Sequence, residues 1–481
     1  MAHRLSVVAL LTLSGALVAA ASPQESYSTS GSLLASSSPR PGDGTSPGVL
    51  VNISKLPKTV EVNITAAVTT LSLQPGVKSE VFAYNGQVPG PTLDVREGDH
   101  VIVHFKNNLP EPTTIHWHGI HLPFESDGSP FHPIAPGETH DYEFTVRAGT
   151  AGTYWYHPHP DHRTGFAIGK GLYGGIIVRA ADDPLPAMTE QLIILSDNRF
   201  LQDGSIDFPD SHSLHGIHDE SNGREGPVLF VNGHVTPTIS IRSGEVQRWR
   251  IVNGSAGRIY RLALTGHTFL HVGSDGGLFE KPIEVKDILL TTGERVELLV
   301  RGSDAPGGRS VLQNLPYDRY VPQTRPADWE TTRDLLTLQT TNDAPVAPVA
   351  LPASLRKVIP LDTTKVTAVR TIVFSQGLIN GKTMDMARVD VSTKVGATEI
   401  WEIENVVGMD HPFHLHGFQF QVLDRDGVAE KYVAWKDMLN IPKHSTARII
   451  VRYDDFPGKW MFHCHILDHE DHGMMGVLEV K

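Results

Sequence analysis

From about Val60 to Lys481 the chain alternates apolar and polar residues in short runs, and stretches with helical spacing are scarce. The alternation returns three times in a similar frame. Asn85-Gly86 leads to Pro91-Thr92-Leu93-Asp94-Val95-Arg96-Glu97-Gly98-Asp99 and then to Val101-Ile102-Val103-His104-Phe105. Asn232-Gly233 leads to Pro237-Thr238-Ile239-Ser240-Ile241-Arg242-Ser243-Gly244-Glu245 and an alternating run through Trp249 and Ile251. Asn380-Gly381 leads to Arg388-Val389-Asp390-Val391, then Gly396 and Glu399-Ile400-Trp401-Glu402-Ile403. Each unit reads as a turn, a strand, a glycine turn and a second strand. A related strand follows later in each, at 139–146, 295–300 and 446–452. Short strands broken by Gly and Pro turns predict an all-β chain of three Greek-key β-sandwiches. A repeat of this length is a whole domain and not a solenoid unit. The expected domains are 49–183, 184–349 and 350–481, with boundaries near Asp183 and Val349.

The length of 481 residues agrees with several domains. The charge balance, 41 − 54 = −13, argues against nucleic acid as a partner, because such binding needs clustered positive charge. At the N-terminus, Arg4 precedes a mostly apolar run from Leu5 to Ala20 that ends in the small residues Ala19-Ala20-Ala21. That pattern predicts an export signal over 1–21, and so a periplasmic or extracellular protein. As a membrane span the run is short. The Ser/Pro/Gly-rich stretch 22–48 reads as a disordered linker. An exported chain with one cysteine has no internal disulfide framework.

That cysteine lies in His463-Cys464-His465-Ile466-Leu467-Asp468-His469, followed by Met474. A thiolate with imidazoles and a nearby thioether is the ligand set of a blue copper centre. On a strand, successive side chains face opposite ways. Cys464 therefore faces one site while His463 and His465 face another. Three further clusters fit this sorting: His116-Trp117-His118-Gly119, His157-Pro158-His159 and His411-Pro412-Phe413-His414-Leu415-His416-Gly417. One group holds His116, His118, His157, His159, His414, His416, His463 and His465. His411 and His469 fall with Cys464 and Met474. A single His-x-His pair is as readily a packing feature, but four clusters of agreeing parity are not.

With these motifs the sequence resembles the multicopper oxidases, and most closely the bacterial three-domain laccase-like type. The resemblance runs from about Val60 to Lys481 and implies cupredoxin domains and four coppers per chain, one type 1, one type 2 and two type 3. It assigns type 1 copper to His411, Cys464, His469 and axial Met474. Type 2 copper goes to His116 and His414. One type 3 ion takes His118, His157 and His465, and the other takes His159, His416 and His463. The cluster is expected between the first and third sandwiches, with the second as a spacer. Asp127 and Glu470 resemble the family's proton-delivering acids; a turn-forming Asp and a solvated Glu are the plainer alternatives.

The implied activity is one-electron oxidation of phenols or aromatic amines coupled to four-electron reduction of O2 to water. The alternative is oxidation of Cu(I) or Fe(II). The stretch 315–333, where some relatives carry a Met-rich hairpin, contains no methionine, which favours organic donors. Outside the C-terminal motif, Met384 and Met386 are the only close methionine pair. Filled ligand positions argue against a non-enzymatic copper carrier, and the histidines flanking Cys464 argue against a nitrite reductase. The expected partners are a small-molecule reductant and O2, with a monomeric protein. His212, His215 and His218 read as a solvated loop, and His132, His162 and His472 as surface or structural residues. Asn52, Asn63 and Asn253 fit the glycosylation pattern, which matters only in a eukaryotic host.

Overall fold

The computed structural model describes residues 47–319, 329–347 and 349–481. The expected export signal, all but the last two residues of the linker, and 320–328 of the methionine-free stretch lie outside the described residues.

Among the described residues the strands form six sheets that pair off along the sequence. The first pair has four strands in each sheet, and the second and third pairs have six and five. The three pairs share one wiring. Thr59–Gln74 runs parallel to His100–Asn108, Thr189–Asn198 to Val246–Asn253, and Ala368–Ser375 to Thr398–Asn405. The second member of each then takes an antiparallel neighbour, Thr139–Thr145, Arg295–Arg301 or Ser445–Arg452. In the facing sheets Gly90–Arg96 is parallel to Gly174–Arg179, Thr238–Ile241 to Arg333–Thr340, and Val391–Thr393 to Met475–Val480. Parallel neighbours need crossover connections and cannot be hairpins. The result is three Greek-key sandwiches of the cupredoxin-like kind.

The sequence repeat is this wiring seen from outside. Asn85, Asn232 and Asn380 stand at φ 50°, 52° and 52°, and the following glycines at 74°, 78° and 71°. Two successive positive φ values make the type I′ hairpin turn that Asn-Gly favours. Each Asn also uses its Oδ1 alike, accepting at 2.7 Å from the main-chain N–H of Thr65, Ile194 or Val373. Every sandwich closes on its own apolar core, with Trp117, Trp249 and Trp401 fully or nearly fully buried in the three.

Among the described residues three short α-helices interrupt the strands: α1 (Thr164–Lys170), α2 (Leu214–Asn222) and α3 (Leu467–Asp471). Ser213 caps α2, its Oγ accepting from Gly216 N–H at 3.0 Å. α3 packs against both α1 and α2. Among the described residues no helix is long and apolar enough to cross a membrane.

The histidine motifs occupy equivalent places in the first and third sandwiches. His116–His118 pairs with Gly152–His157, and His411–Leu415 with Gly458–Cys464. The matching strands of the middle sandwich, Tyr260–Leu264 and Arg309–Asn314, carry no histidine.

Candidate metal centre

Residues directly opposite in an antiparallel pair project to the same face. His414 lies opposite His463, and Phe413 lies opposite Cys464. The two imidazoles therefore leave one side of the sheet and the sulfur leaves the other. In the first sandwich His116 lies opposite His157. Several of the motif histidines sit just past a strand end: His159, His416 and His465 lie outside the strands, in segments that still point inward.

Eight buried imidazoles converge between the first and third sandwiches. Ligand atoms of His118, His157 and His465 lie within 4.8 Å of one another, as do those of His159, His416 and His463 and those of His116, His118 and His414. Nε2 of His416 is 3.1 Å from Nε2 of His463, and Nε2 of His414 is 3.5 Å from Nε2 of His116. Burial holds His118, His157, His414 and His416 well below the usual imidazole pKa, and lowers His159 to about 4 and His465 to about 3. Neutral rings facing one another present lone pairs and need a cation between them. His159 Nδ1 and both ring nitrogens of His465 have no hydrogen-bond partner among the described residues, although buried. Orphaned imidazole nitrogens around a shared centre suit copper.

Behind the sheet, His411, Cys464 and His469 offer donor atoms within 4.8 Å of one another. Cys464 Sγ is 3.7 Å from His469 Nδ1 and accepts from Ile466 N–H at 3.4 Å. His469 Nε2–H donates to the Ser221 carbonyl at 3.1 Å, which leaves Nδ1 for the sulfur side. His411 Nδ1 lies 3.3 Å from Asn405 Oδ1. Burial pushes the Cys464 thiol up, so a thiolate here needs a bound cation. Met474 is fully buried in the same apolar cluster, and its carbonyl accepts from Cys464 N–H at 3.1 Å. The alternation argument does not extend to His469, which approaches the sulfur from α3.

Asp127 and Glu470 are both buried, at 2% and 1% exposure, and neither is a solvated acid. Asp127 follows a single helical turn at Phe124–Ser126. Its Oδ2 accepts from His416 Nδ1–H at 2.9 Å, and its carbonyl accepts from His116 Nδ1–H at 2.9 Å. Glu470 Oε2 is 3.1 Å from His463 Nδ1, and Oε1 is 3.4 Å from His159 Nε2. The His463 N–H is directed at the Cys464 carbonyl, at 3.0 Å, so the Glu470 contact is electrostatic and not an aligned hydrogen bond. Burial alone raises the Glu470 pKa, but His159 and His463 outweigh it and hold the carboxyl well below its usual range.

Several contributors carry no local motif. Asp437 accepts from His118 Nε2–H at 3.1 Å, and Arg295 grips Asp437. Thr292 Oγ1 donates to the His465 carbonyl at 2.6 Å. A Cβ on Gly293, at φ 80°, would lie 3.1 Å from His465 Nε2. The middle sandwich therefore lines the cluster and is more than a spacer. Among the histidines set aside, His212 is solvent-exposed and His162 Nδ1–H donates to the Asp471 carbonyl on the surface. Asn253 is fully buried, with Nδ2 donated to two carbonyls, and offers no glycan site.

Comparison with known proteins follows this geometry. Family profiles described as multicopper oxidase match residues 65–183, 195–314 and 354–481. A multicopper oxidase of Staphylococcus aureus is 33% identical over 420 residues, covering 84% of each chain. The solved structure of a multicopper oxidase from Campylobacter jejuni, described as a metallo-oxidase, superimposes with a TM-score of 0.83 at 33% identity, over 92% of this chain and 96% of that one. A laccase from Pediococcus acidilactici gives a TM-score of 0.81 at 30% identity, over 92% and 94% of the two chains.

Proposed function

Because the chain belongs to the multicopper oxidases, a family of copper-dependent oxidoreductases that pass electrons from a reductant to O2, we propose that it holds four coppers in two sites joined through Cys464. The type 1 ion would be held by His411, Cys464, His469 and Met474. His116 and His414 hold the type 2 ion. His118, His157 and His465 hold one type 3 ion, and His159, His416 and His463 hold the other. The domains are 49–183, 184–349 and 350–481, and the protein acts outside the cytoplasm as a monomer. The observation that carries this reading is the register that places Phe413 opposite Cys464 and His414 opposite His463.

Bound copper supplies one-electron redox chemistry, and four ions match the four electrons that O2 needs to become water. The residues do the rest. His469 is the side chain of the sulfur site nearest the outside, so reductant electrons enter at its edge. Cys464 is bonded through its own main chain to His463 and His465, which gives a covalent path from one face of the sheet to the other. Asp127 orients His416 and His116, and Glu470 lies beside His463 and His159; both carboxylates are placed to relay protons toward oxygen, each accepting one before passing it on. The sealed surroundings keep stray water and partial products from exchanging freely.

The leading substrate class is phenols and aromatic amines, supported by the absence of methionine from 315–333 and by the likeness to a laccase. The second reading, oxidation of Fe(II) or Cu(I), is supported by the surface above His469. There Ser221 of α2 covers the imidazole edge. Beside it His472 turns Nε2 toward Glu220 Oε1, 3.6 Å away, while its Nδ1–H goes to the Asp468 carbonyl. A lone pair facing a carboxylate suits a small cation. The likeness to a metallo-oxidase adds to that reading. Steady-state oxygen uptake on a phenol, an aromatic amine, Cu(I) and Fe(II) separates the two. Uptake with none of the four would remove both.

A further inference from the structure

Arg295 and Asp437 are sealed from solvent, at 0% and 1% side-chain exposure, although neither belongs to a histidine motif. Arg295 opens the strand Arg295–Arg301 of the middle sandwich. Asp437 directly precedes Met438–Ile441, the strand paired with His411–Leu415. The guanidinium meets the carboxylate as a fork, Nη1 donating to Oδ1 and Nη2 to Oδ2, each at 2.6 Å. Nε donates to the Thr153 carbonyl at 3.1 Å, Nη1 to Gly293 at 3.1 Å and Nη2 to Asp275 at 3.0 Å. An arginine has five N–H donors and these contacts use them all, so the fork cannot turn and the carboxylate plane is fixed.

Asp437 touches two of the converging imidazoles. Its main-chain oxygen accepts from His414 Nδ1–H at 2.9 Å, and its Oδ1 accepts from His118 Nε2–H at 3.1 Å. His118 therefore presents Nδ1, which lies 3.3 Å from Nε2 of His157. His116, His157, His414, His416 and His463 stand the other way round, each with Nδ1 on an oxygen and Nε2 toward the cluster. A carboxylate only accepts, so Asp437 selects the tautomer of this reversed ring. Gly119, next to His118, completes the argument. A Cβ there would lie 2.5 Å from Arg295 Nη2 and 2.6 Å from Asp437 Oδ2, so the glycine of the His-Trp-His-Gly motif makes room for this ion pair.

We propose that Asp437, locked by Arg295 of the middle sandwich, is the positioning residue that fixes His118 in its Nδ1-presenting orientation, so that the trinuclear centre depends on all three sandwiches. This rests on the copper reading above. A plain structural clamp between sandwiches would not act selectively on the cluster.

The test uses the full chain loaded with copper. Asp437→Asn keeps the shape, but with its oxygen on Arg295 it turns an NH2 toward His118 and calls for the opposite tautomer. Asp437→Asn and Asp437→Ala are each read for copper per chain, blue thiolate absorption, EPR spectrum and melting of the copper-free protein. The expected result is native blue absorption and a lowered copper-free melting temperature, since Arg295 is left underpaired, with cluster copper held about 10–100-fold more weakly and the EPR-silent pair lost. The Asn variant should be as impaired as the Ala variant. A native copper count and EPR spectrum in Asp437→Asn overturns the proposal. Should both variants lose the blue absorption too, Arg295→Lys decides, since it keeps the charge and loses the fork. Weakened cluster copper with intact blue absorption in that variant supports the proposal, and an intact cluster overturns it. A native chain that takes up no copper contradicts the copper reading itself, and this proposal with it; native behaviour of the variants contradicts this proposal alone.

Discussion

The imidazole of His469 and the carbonyl of Ser221 are joined by a 3.1 Å hydrogen bond, which ties the edge of the sulfur-bearing site to α2 of the middle sandwich. A donor approaching His469 along its Nε2 edge meets Ser221 of α2. Leu214 and Ile217 of that helix are exposed, while Asp219 is held by Arg199 and the Asn222 carbonyl by Arg319. Replacing 214–222 with a flexible linker should raise kcat/KM for a bulky phenol about tenfold, the equivalent of ~1.4 kcal/mol of barrier. The Fe(II) rate should not rise with it. Oxygen-uptake kinetics on both donors, with the blue absorption as a check on folding, decide this. An unchanged phenol rate would show that α2 is no barrier.

Asp127→Asn and Glu470→Gln should slow oxygen reduction by about 10–100-fold while leaving the blue absorption unchanged, because each acid contacts cluster imidazoles and neither contacts Cys464. Stopped-flow reoxidation of the reduced protein by O2 measures the step directly. Native reoxidation in either variant removes that acid from the mechanism.

Met474→Leu should raise the type 1 potential. A thioether stabilises oxidised copper more than an alkyl side chain does, and Met474 is buried beside Cys464. A redox titration followed at the blue absorption reports the shift, and a potential that stays or falls contradicts axial ligation.

A fourth prediction concerns acid stability. Glu297 is fully buried and accepts from Arg248, Arg250 and Thr153, which joins the first and middle sandwiches. Burial raises its pKa, but Arg248 and Arg250 outweigh burial and bring it to about 2, against an ordinary 4.5. A depressed folded pKa means stabilisation that is complete above the unfolded value and lost as pH falls through the folded one. Glu297→Gln should therefore cost about 3–5 kcal/mol near neutral pH, through two arginines left underpaired. The gap in melting temperature between the native and variant proteins should close as pH falls from 4.5 toward 2. Asp468, raised to about 6 by burial, changes stability in the opposite sense and is common to both proteins, so the difference isolates Glu297. A gap that stays constant over that range would refute the assignment.

The sequence carried the strand wiring and the convergence of histidines because both depend on local signals. Asn-Gly turns set the repeat, and alternation sent His463 and Cys464 to opposite faces. It carried the place of His469 by motif alone, since that residue comes from a helix whose five residues give no periodicity to read. Asp437, Arg295, Thr292 and Ser221 were illegible for a different reason. Thr292, Ser221 and Asp437 lie far along the chain from His465, His469 and His118, the last pair 319 residues apart, and Arg295 is likewise distant from Asp437, so only the packing of the sandwiches brings them together. One trace did exist: a glycine directly after His118 marks a place where something approaches closely, though not what approaches. Asp127 was named only through its likeness to the family's acids, because Ser-Asp-Gly by itself looks like a surface turn and only burial tells the two apart.

The central claim is that Cys464 serves one metal site and its two histidine neighbours another. Copper per chain, measured by elemental analysis in the fully loaded native protein and in Cys464→Ser, tests it most directly. The account predicts four coppers with blue colour in the native chain, and one copper fewer with no blue colour in the variant, whose cluster histidines still hold theirs. A variant that keeps every copper, or loses all of them together, would contradict it.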